Sequence, residues 1–195
     1  MVFERGELID ADLQRANHVY IVAEGLACSF TQLADGRRQI LKYFYPGDLT
    51  TTLHPASNTM RVGVRCLTKV KACRFEAGLL RDALYARRDL LALLTEFAAE
   101  RLEEKDERMT DMGARTSEEA LANFVLGHFR HLMGGVEAGE IAFPIRLSDI
   151  ADTIGVTEVH AGRLMRKLET DKLVERRPSS RLYVRAEKLE KVVGR

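Results

Sequence analysis

The sequence predicts an α+β fold with three successive parts: an N-terminal antiparallel β-roll, a long helix and a C-terminal winged helix-turn-helix. Three observations predict it. Short β-prone runs punctuated by glycines come first, and a long stretch with apolar residues at helical spacing follows. Residues 145–185 then have the pattern of a short helix, a turn, a longer basic helix and an arginine-rich hairpin. We place the parts at residues 1–78, 79–113 and 114–195.

The first part contains four β-prone runs: Val19–Gly25, Ala27–Leu33, Arg38–Asp48 and Met60–Glu76. Asp35-Gly36, between the second and third runs, indicates a hairpin, because the primed turns that close hairpins need positive φ. Gly25, Gly36 and Gly47 are equally spaced, as expected where short strands turn at regular intervals in a barrel or roll.

From Ala77 the pattern becomes helical, and charged residues surround a broken apolar stripe. A helix this charged needs a partner along its stripe, either the β domain or a second copy of the chain. We interpret it as a dimerisation helix, while packing on its own domain alone remains the alternative. The residues assigned to the dimer contact are Leu90, Leu94, Phe97, Arg101, Leu102 and Met109.

Gly113 and Ala114 interrupt this helix. Thr116 and Glu119 then have the spacing of a capping box, which predicts that a further helix begins there and runs through Leu132. The glycine-containing segment Met133–Glu140 is predicted to be a loop that leads towards the helix-turn-helix.

The helix-turn-helix is predicted from two apolar faces separated by a turn. The first face contains Leu147, Ile150, Ala151 and Ile154, and the second contains Ala161, Leu164, Met165 and Leu168. Gly155 suits the left-handed backbone at the end of the first helix, and the Thr157 hydroxyl is expected to cap the second. Burial of the second face leaves the opposite side of that helix exposed, ready to enter a DNA groove.

The distribution of charge supports DNA as the partner. The whole chain has a formal net charge of +1, whereas residues 141–195 carry +4 and residues 1–140 carry −3. Arg163 is expected to read bases, and Arg166 and the hairpin residues are expected to contact phosphates. The candidate DNA-binding residues are Thr157, Glu158, Val159, His160, Gly162, Arg163, Arg166, Arg177, Ser179, Ser180 and Arg181.

Other chemistry finds little support in the sequence. Cys28, Cys66 and Cys73 form no paired framework, which favours a reducing cytoplasm, and we expect Cys66 and Cys73 to be small buried hydrophobes rather than redox sensors. His128 and His131 could share a helical face and bind a metal, but ordinary histidines are the favoured interpretation. We therefore expect no metal and no cofactor. The chain has no familiar catalytic motif, membrane-spanning run or signal peptide, so an enzyme or membrane protein is not expected.

The order of β-roll, long helix and winged helix-turn-helix resembles the Crp/Fnr superfamily of bacterial transcription regulators. The resemblance covers nearly the whole chain and rests on Gly25, the hairpin Leu33–Ile40, Pro46-Gly47-Asp48 and the segment Asp149–Glu169. The hairpin followed by Pro-Gly-Asp is similar to the FixK-type branch. This resemblance implies a cyclic-nucleotide-binding-like β-roll, a homodimer, a pseudo-palindromic double-stranded DNA operator and, for an activator, contact with RNA polymerase.

The chain departs from the pattern of that superfamily at three places. Thr51-Thr52-Leu53 replaces the Gly-Glu-Leu of cyclic-nucleotide-binding members. Those members hold the cyclic phosphate with an Arg-Ser or Arg-Thr pair, and this chain has Met60-Arg61 near that position. No cysteine cluster precedes the β-roll, so an oxygen-sensing iron–sulfur centre is not expected. Val159 occupies the place of a base-reading glutamate, while Arg163 is retained, so the operator should differ from the common half-site.

Two hypotheses for the function follow, and a third is weaker. The first is a homodimeric regulator that binds DNA without a small ligand. The second is the same fold gated by a non-nucleotide effector or by cysteine oxidation. The third is a ligand-binding module whose helix-turn-helix contacts proteins.

Overall fold

The computed structural model of the protein describes residues 1–9, 18–50 and 62–194. The chain divides into two compact units, Met1–Arg101 and Leu102–Arg195, and the boundary falls inside a helix. The three-part division made from the sequence remains a prediction. No helix in the described ranges is long and apolar enough to cross a membrane.

The first unit is built on two antiparallel sheets, as predicted. Its strands are β1 (Val2–Phe3), β2 (Leu8–Ile9), β3 (His18–Glu24), β4 (Ala27–Gln32), β5 (Arg38–Phe44), β6 (Val62–Cys66) and β7 (Val70–Glu76). One sheet has the order β1-β7-β3 and the other the order β2-β6-β4-β5. A shared core includes Tyr20, Val22, Phe44 and Val70, which confirms the β-roll. The two-residue strands β1 and β2 were not predicted, because such short segments carry no readable alternation.

The predicted β4–β5 hairpin is present, but its turn is not of the primed type. Gly36 has φ 87°, whereas Asp35 is not among the residues with positive φ. The Gly36 N–H donates to Leu33 O at 3.0 Å, and the Arg37 N–H donates to Asp35 Oδ1 at 3.0 Å. A single left-handed glycine at the end of a three-residue loop therefore closes the hairpin.

Gly25 is required by close packing as well as by its backbone. Its φ is 94°, and a Cβ at this position would lie 2.2 Å from the carbonyl oxygen of Lys69. No side chain fits at that separation, so the turn between β3 and β4 depends on glycine.

The helical part of the sequence forms two helices where one continuous run was expected. Helix α1 (Ala77–Ala86) ends at Arg87, whose backbone is extended with φ −128° and ψ 106°, and α2 covers Arg88–Gly113. Neither helix contains a single buried residue. Most helical stability in proteins comes from packing of an apolar face. A 26-residue helix without fully buried side chains is therefore expected to pack against a further partner.

The second unit is a helix-turn-helix flanked by a small sheet and two further helices. Its elements are α3 (Ser117–Met133), β8 (Ala138–Ala142), α4 (Leu147–Ile154), α5 (Glu158–Thr170), β9 (Val174–Arg177), β10 (Arg181–Arg185) and α6 (Ala186–Val193). The strands form an antiparallel sheet in the order β8-β10-β9. The winged helix-turn-helix is thereby confirmed.

The predicted loop Met133–Glu140 is partly wrong. Helix α3 ends at Met133, and β8 begins at Ala138 and pairs along its length with β10. The segment has weak intrinsic β-propensity, and pairing with a neighbouring strand makes it a strand. The predicted capping box is confirmed: Thr116 Oγ1 accepts from the Glu119 N–H at 3.3 Å, and Glu119 Oε2 accepts from the Thr116 N–H at 2.7 Å.

His128 lies in the core of the second unit. Its ring packs edge-on against Phe143 with a centroid separation of 5.3 Å, and Nε2 lies 3.1 Å from Ala142 O. Burial lowers the pKa of His128 to about 4. The exposed His131 does not share this environment, so the two histidines do not form the metal-binding pair considered from the sequence.

Acidification is expected to destabilise the protein through His128. The unfolded histidine takes up its proton near pH 6.5 and the folded one only near pH 4. The contribution of His128 is therefore complete above pH 6.5 and is lost as the pH falls towards 4. Between pH 7.5 and pH 5 we expect a loss of about 2 kcal/mol in the free energy of unfolding, measured with urea. His128→Gln should remove this part of the pH dependence and His131→Gln should keep it, and equal curves for the two variants would contradict the assignment.

Candidate nucleic-acid interface

The turn between α4 and α5 has the geometry expected of a helix-turn-helix. Gly155 adopts a left-handed conformation with φ 73°, and its N–H donates to Ala151 O at 2.9 Å. The Val156 N–H donates to the same oxygen at 3.1 Å. Thr157 Oγ1 then accepts from the His160 N–H at 3.3 Å and caps α5, as predicted.

Helix α5 has one buried face and one exposed face. Ala161, Leu164, Met165 and Leu168 are buried, as predicted from their spacing. On the other side Thr157, Glu158, Val159, His160, Arg163 and Arg166 are exposed, and Gly162 is half-buried beside Leu147. Val159 is the most prominent apolar group of this surface, with 68% of the residue exposed.

The two arginines of this face are unengaged. Arg163 and Arg166 make no side-chain hydrogen bond or ion pair with any residue that the structure describes. A guanidinium has five N–H donors and no acceptor. These two side chains are therefore available for acceptor groups on a ligand, such as base edges or phosphates.

The hairpin of β9 and β10 carries the remaining candidate residues at its tip. Arg181 pairs with Arg177 across the two strands, and residues 178–180 form the loop. Ser179 and Ser180 have φ of 60° and 53°, and the Phe143 N–H holds the loop through a 2.7 Å bond to Ser180 O. All four candidates (Arg177, Ser179, Ser180 and Arg181) are exposed.

Unlike those of α5, the wing arginines have acidic partners. Arg181 Nε forms an ion pair with Glu140 of β8, and Arg177 Nη2 lies 3.1 Å from Glu175 Oε2. Arg176 Nε lies 2.6 Å from Glu169 Oε1 of α5. These contacts were not predicted from the sequence. The pair of Arg181 and Glu140 joins residues 41 positions apart, and the pair of Arg176 and Glu169 joins two different elements.

Comparison with known proteins agrees with this architecture. Residues 1–86 match the family model of the cyclic nucleotide-binding domain, and residues 119–192 match that of the Crp-like helix-turn-helix domain. FixK, a nitrogen fixation regulation protein of Bradyrhizobium diazoefficiens, is 30% identical over 169 residues, which are 86% of this chain and 70% of FixK. This chain belongs to the Crp/Fnr family of transcription regulators.

Further relatives support the FixK-like branch of this family. AadR, a transcriptional activatory protein of Rhodopseudomonas palustris, is 29% identical over 170 residues, covering 86% of this chain and 70% of AadR. The solved structure of FixK2 from Bradyrhizobium japonicum superimposes with a TM-score of 0.86 at 24% identity, covering 98% of this chain and 95% of that one. The Crp/Fnr fold predicted from the sequence is thereby confirmed.

Within this Crp/Fnr fold, one face of α2 contacts the chain itself. Leu90, Leu94, Phe97 and Arg101 are half-buried. The Arg101 guanidinium stacks on Phe97 at 4.4 Å from the ring centroid, donates to Leu49 O at 3.0 Å and lies 3.6 Å from Asp48 Oδ1. Four of the six residues assigned to the dimer contact therefore lie on the face that packs on their own unit.

A different face of α2 is entirely exposed and has a heptad pattern. Its residues are Leu91, Thr95, Ala98, Leu102, Lys105, Met109 and Met112, separated alternately by four and three positions. We call this set the α2 seam. Leu102 and Met109 are 61% and 72% exposed, and both were assigned to the dimer contact from the sequence. Alternating spacing of this kind is typical of the contact line of a two-stranded coiled coil.

The cysteines of this Crp/Fnr protein differ in exposure. Cys28 and Cys66 are buried, but Cys73 is exposed on β7, contrary to the expectation that it is buried. An alternating strand places neighbours on opposite faces, and Ala72 takes the inner position there. Burial raises the pKa of the Cys66 thiol to about 11, which makes it a poor nucleophile. No group of histidine, cysteine or acidic residues in the described ranges could hold a metal.

The residues by which the chain departs from cyclic-nucleotide-binding Crp/Fnr members lie outside the described residues. These are Thr51, Thr52, Leu53, Met60 and Arg61. The Pro46-Gly47-Asp48 motif that precedes them is described: the Gly47 N–H donates to Val22 O at 2.8 Å, and Asp48 Oδ2 accepts from the Tyr45 N–H at 2.9 Å.

Proposed function

We propose that this Crp/Fnr protein is a homodimeric, sequence-specific DNA-binding regulator that reads its operator with α5 and binds DNA without a cyclic nucleotide. The observation that carries the proposal is the unengaged Arg163 on the exposed face of a capped helix. Arginine pairs bidentately with O6 and N7 of guanine in the major groove, and this is the commonest specific base contact. In this proposal the protein works in the cytoplasm as a regulator rather than an enzyme and needs no cofactor.

Selection of binding sites from random duplex DNA with the purified protein tests this function. The expected result is a pseudo-palindromic site with half-sites one helical turn apart, roughly 34 Å. Recovery of no preferred sequence would contradict sequence-specific binding. If the protein activates transcription, RNA polymerase is a further partner in this proposal.

The homodimer is supported by the α2 seam. Three of its four large apolar side chains, Leu102, Met109 and Met112, are more than half exposed in the single chain, and the heptad spacing lets two copies of α2 pack along this line. A symmetric dimer also presents two copies of α5 and so explains a palindromic operator. The charged Lys105 within the seam would disfavour dimers in which the two α2 helices are shifted along each other.

Cyclic nucleotides are expected to bind poorly or not at all, because Thr52 and Met60 stand where related proteins carry a ribose-binding glutamate and a phosphate-binding arginine. Titration calorimetry with cyclic AMP and cyclic GMP should therefore show no heat of binding. A micromolar dissociation constant for either nucleotide would contradict this prediction, whatever its effect on DNA binding.

Gating by cysteine oxidation is the second candidate, and the exposure of Cys73 favours it. Cys28 and Cys66 are buried, so Cys73 is the residue that an oxidant would reach first. DNA binding measured with and without peroxide separates the two candidates. A change that disappears in Cys73→Ser would support gating, and unchanged binding would support the ungated regulator.

A further inference from the structure

The outer face of the wing combines arginines and glutamates around one tyrosine. Tyr183 of β10 pairs with Glu140 of β8 on one side and with Glu175 of β9 on the other. Residues two positions apart on a strand share a face, so Arg181 and its cross-strand partner Arg177 lie on the same face as these glutamates. The inner face carries Ile141 and Leu182, which are buried.

The arginines of this face occupy neighbouring positions of the sheet. Arg177 and Arg181 stand directly opposite in the hairpin, and like charges in that position destabilise a strand pair. Arg185 adds a third guanidinium, 5.0 Å from the centroid of the Tyr183 ring. Glu140 and Glu175 offset this charge through their ion pairs with Arg181 and Arg177.

Among the candidate DNA-binding arginines, only those of the wing have a carboxylate partner in the described residues. On α5, Arg163 and Arg166 face solvent without a carboxylate partner in the described part of the chain. Arg163, which is expected to read bases, is thus unengaged, and so is Arg166, whereas Arg177 and Arg181 of the wing already hold a carboxylate. This difference separates the arginines of α5 from those of the wing.

We propose that Glu140 and Glu175 are internal counter-charges that limit the affinity of the wing for DNA phosphates. The inference rests on the proposed DNA binding. A phosphate that approaches Arg181 or Arg177 must displace the carboxylate or tolerate its repulsion. Exposed ion pairs contribute little to stability, so the exchange is readily made, but part of the attraction between arginine and phosphate is lost.

Glutamine at the two positions keeps the size of the side chain and removes its charge. Glu140→Gln, Glu175→Gln and the double variant are compared with the wild type on a random-sequence duplex, by fluorescence anisotropy over a series of salt concentrations. The double variant should bind about five- to tenfold more tightly at moderate salt, and its plot of log affinity against log salt should be steeper by up to about two. Glu190→Gln is the matched control, because Glu190 is paired with Arg130 between α6 and α3, away from the wing.

A second comparison separates the ion pair from the general loss of negative charge. If Glu140 acts through Arg181, the gain from Glu140→Gln should vanish when Arg181 is replaced by glutamine. The inference would be overturned if Glu140→Gln gave the same gain in affinity with and without Arg181, or if Glu190→Gln gave an equal gain. Unchanged or weaker binding by the double variant would also overturn it. Weaker binding would mean that the glutamates hold the arginines in place for DNA. A wild type that binds no duplex at any salt concentration would instead contradict the proposed function itself.

Discussion

Leu102→Glu is expected to convert the protein into a monomer and to weaken binding to its selected operator by more than about 100-fold. In the proposed dimer two copies of this position face each other along the α2 seam, and two buried carboxylates there would repel and lose their hydration. A monomer presents one α5 to one half-site, so the advantage of simultaneous binding, about 10²–10⁴ in affinity, is lost. Sedimentation velocity at micromolar concentration measures the oligomeric state, and anisotropy measures the affinity.

Leu93→Glu is the matched control for this experiment. Leu93 lies on the same helix and is as exposed as Leu102, 60% against 61%, but it is outside the α2 seam. The Leu93 variant should remain dimeric and bind the operator as the wild type does. A wild type that sediments as a monomer, also with DNA present, would contradict the dimer. Dissociation by the Leu93 variant but not the Leu102 variant would place the interface on another face.

Arg163→Ala should cost about 1–3 kcal/mol on the selected operator and relax the preference at one base position in each half-site. The side chain is exposed and unengaged, so its removal disturbs no contact within the described structure. Random DNA does not place a guanine at a fixed position relative to α5, so affinity for it should change much less. Binding measured side by side on the operator, on single-base variants of it and on random DNA gives the result.

Arg181→Ala is the variant with which Arg163→Ala is compared. An arginine of the wing is expected to contact phosphates, which carry no sequence information, so its loss should weaken specific and random DNA alike and reduce the salt dependence. If Arg163→Ala also weakens both kinds of DNA equally, α5 does not read bases as proposed. The winged helix-turn-helix would remain, but its register on DNA would have to be changed.

Local chemistry explains why much of the second unit could be predicted from the sequence. Gly155, Thr157 and the capping box of Thr116 and Glu119 act within a few residues, and each forms the contact expected of it. The buried face of α5 follows from helical periodicity alone. The choice of base-reading and phosphate-binding residues on that surface remains a prediction, because no DNA contact is described.

The sequence by itself determined the order of β-roll, long helical part and winged helix-turn-helix, the Gly155 turn and the buried face of α5, because periodicity, glycine conformations and helix caps depend on neighbouring residues. Only the tertiary structure decided which face of α2 is covered: two apolar lines run along one helix, and Arg101 ties the first to its own unit through Phe97 and Leu49. Tertiary structure also made Ala138–Ala142 a strand and brought Glu140 to Arg181. These features join residues distant in the chain, so their energies depend on packing that no local pattern encodes.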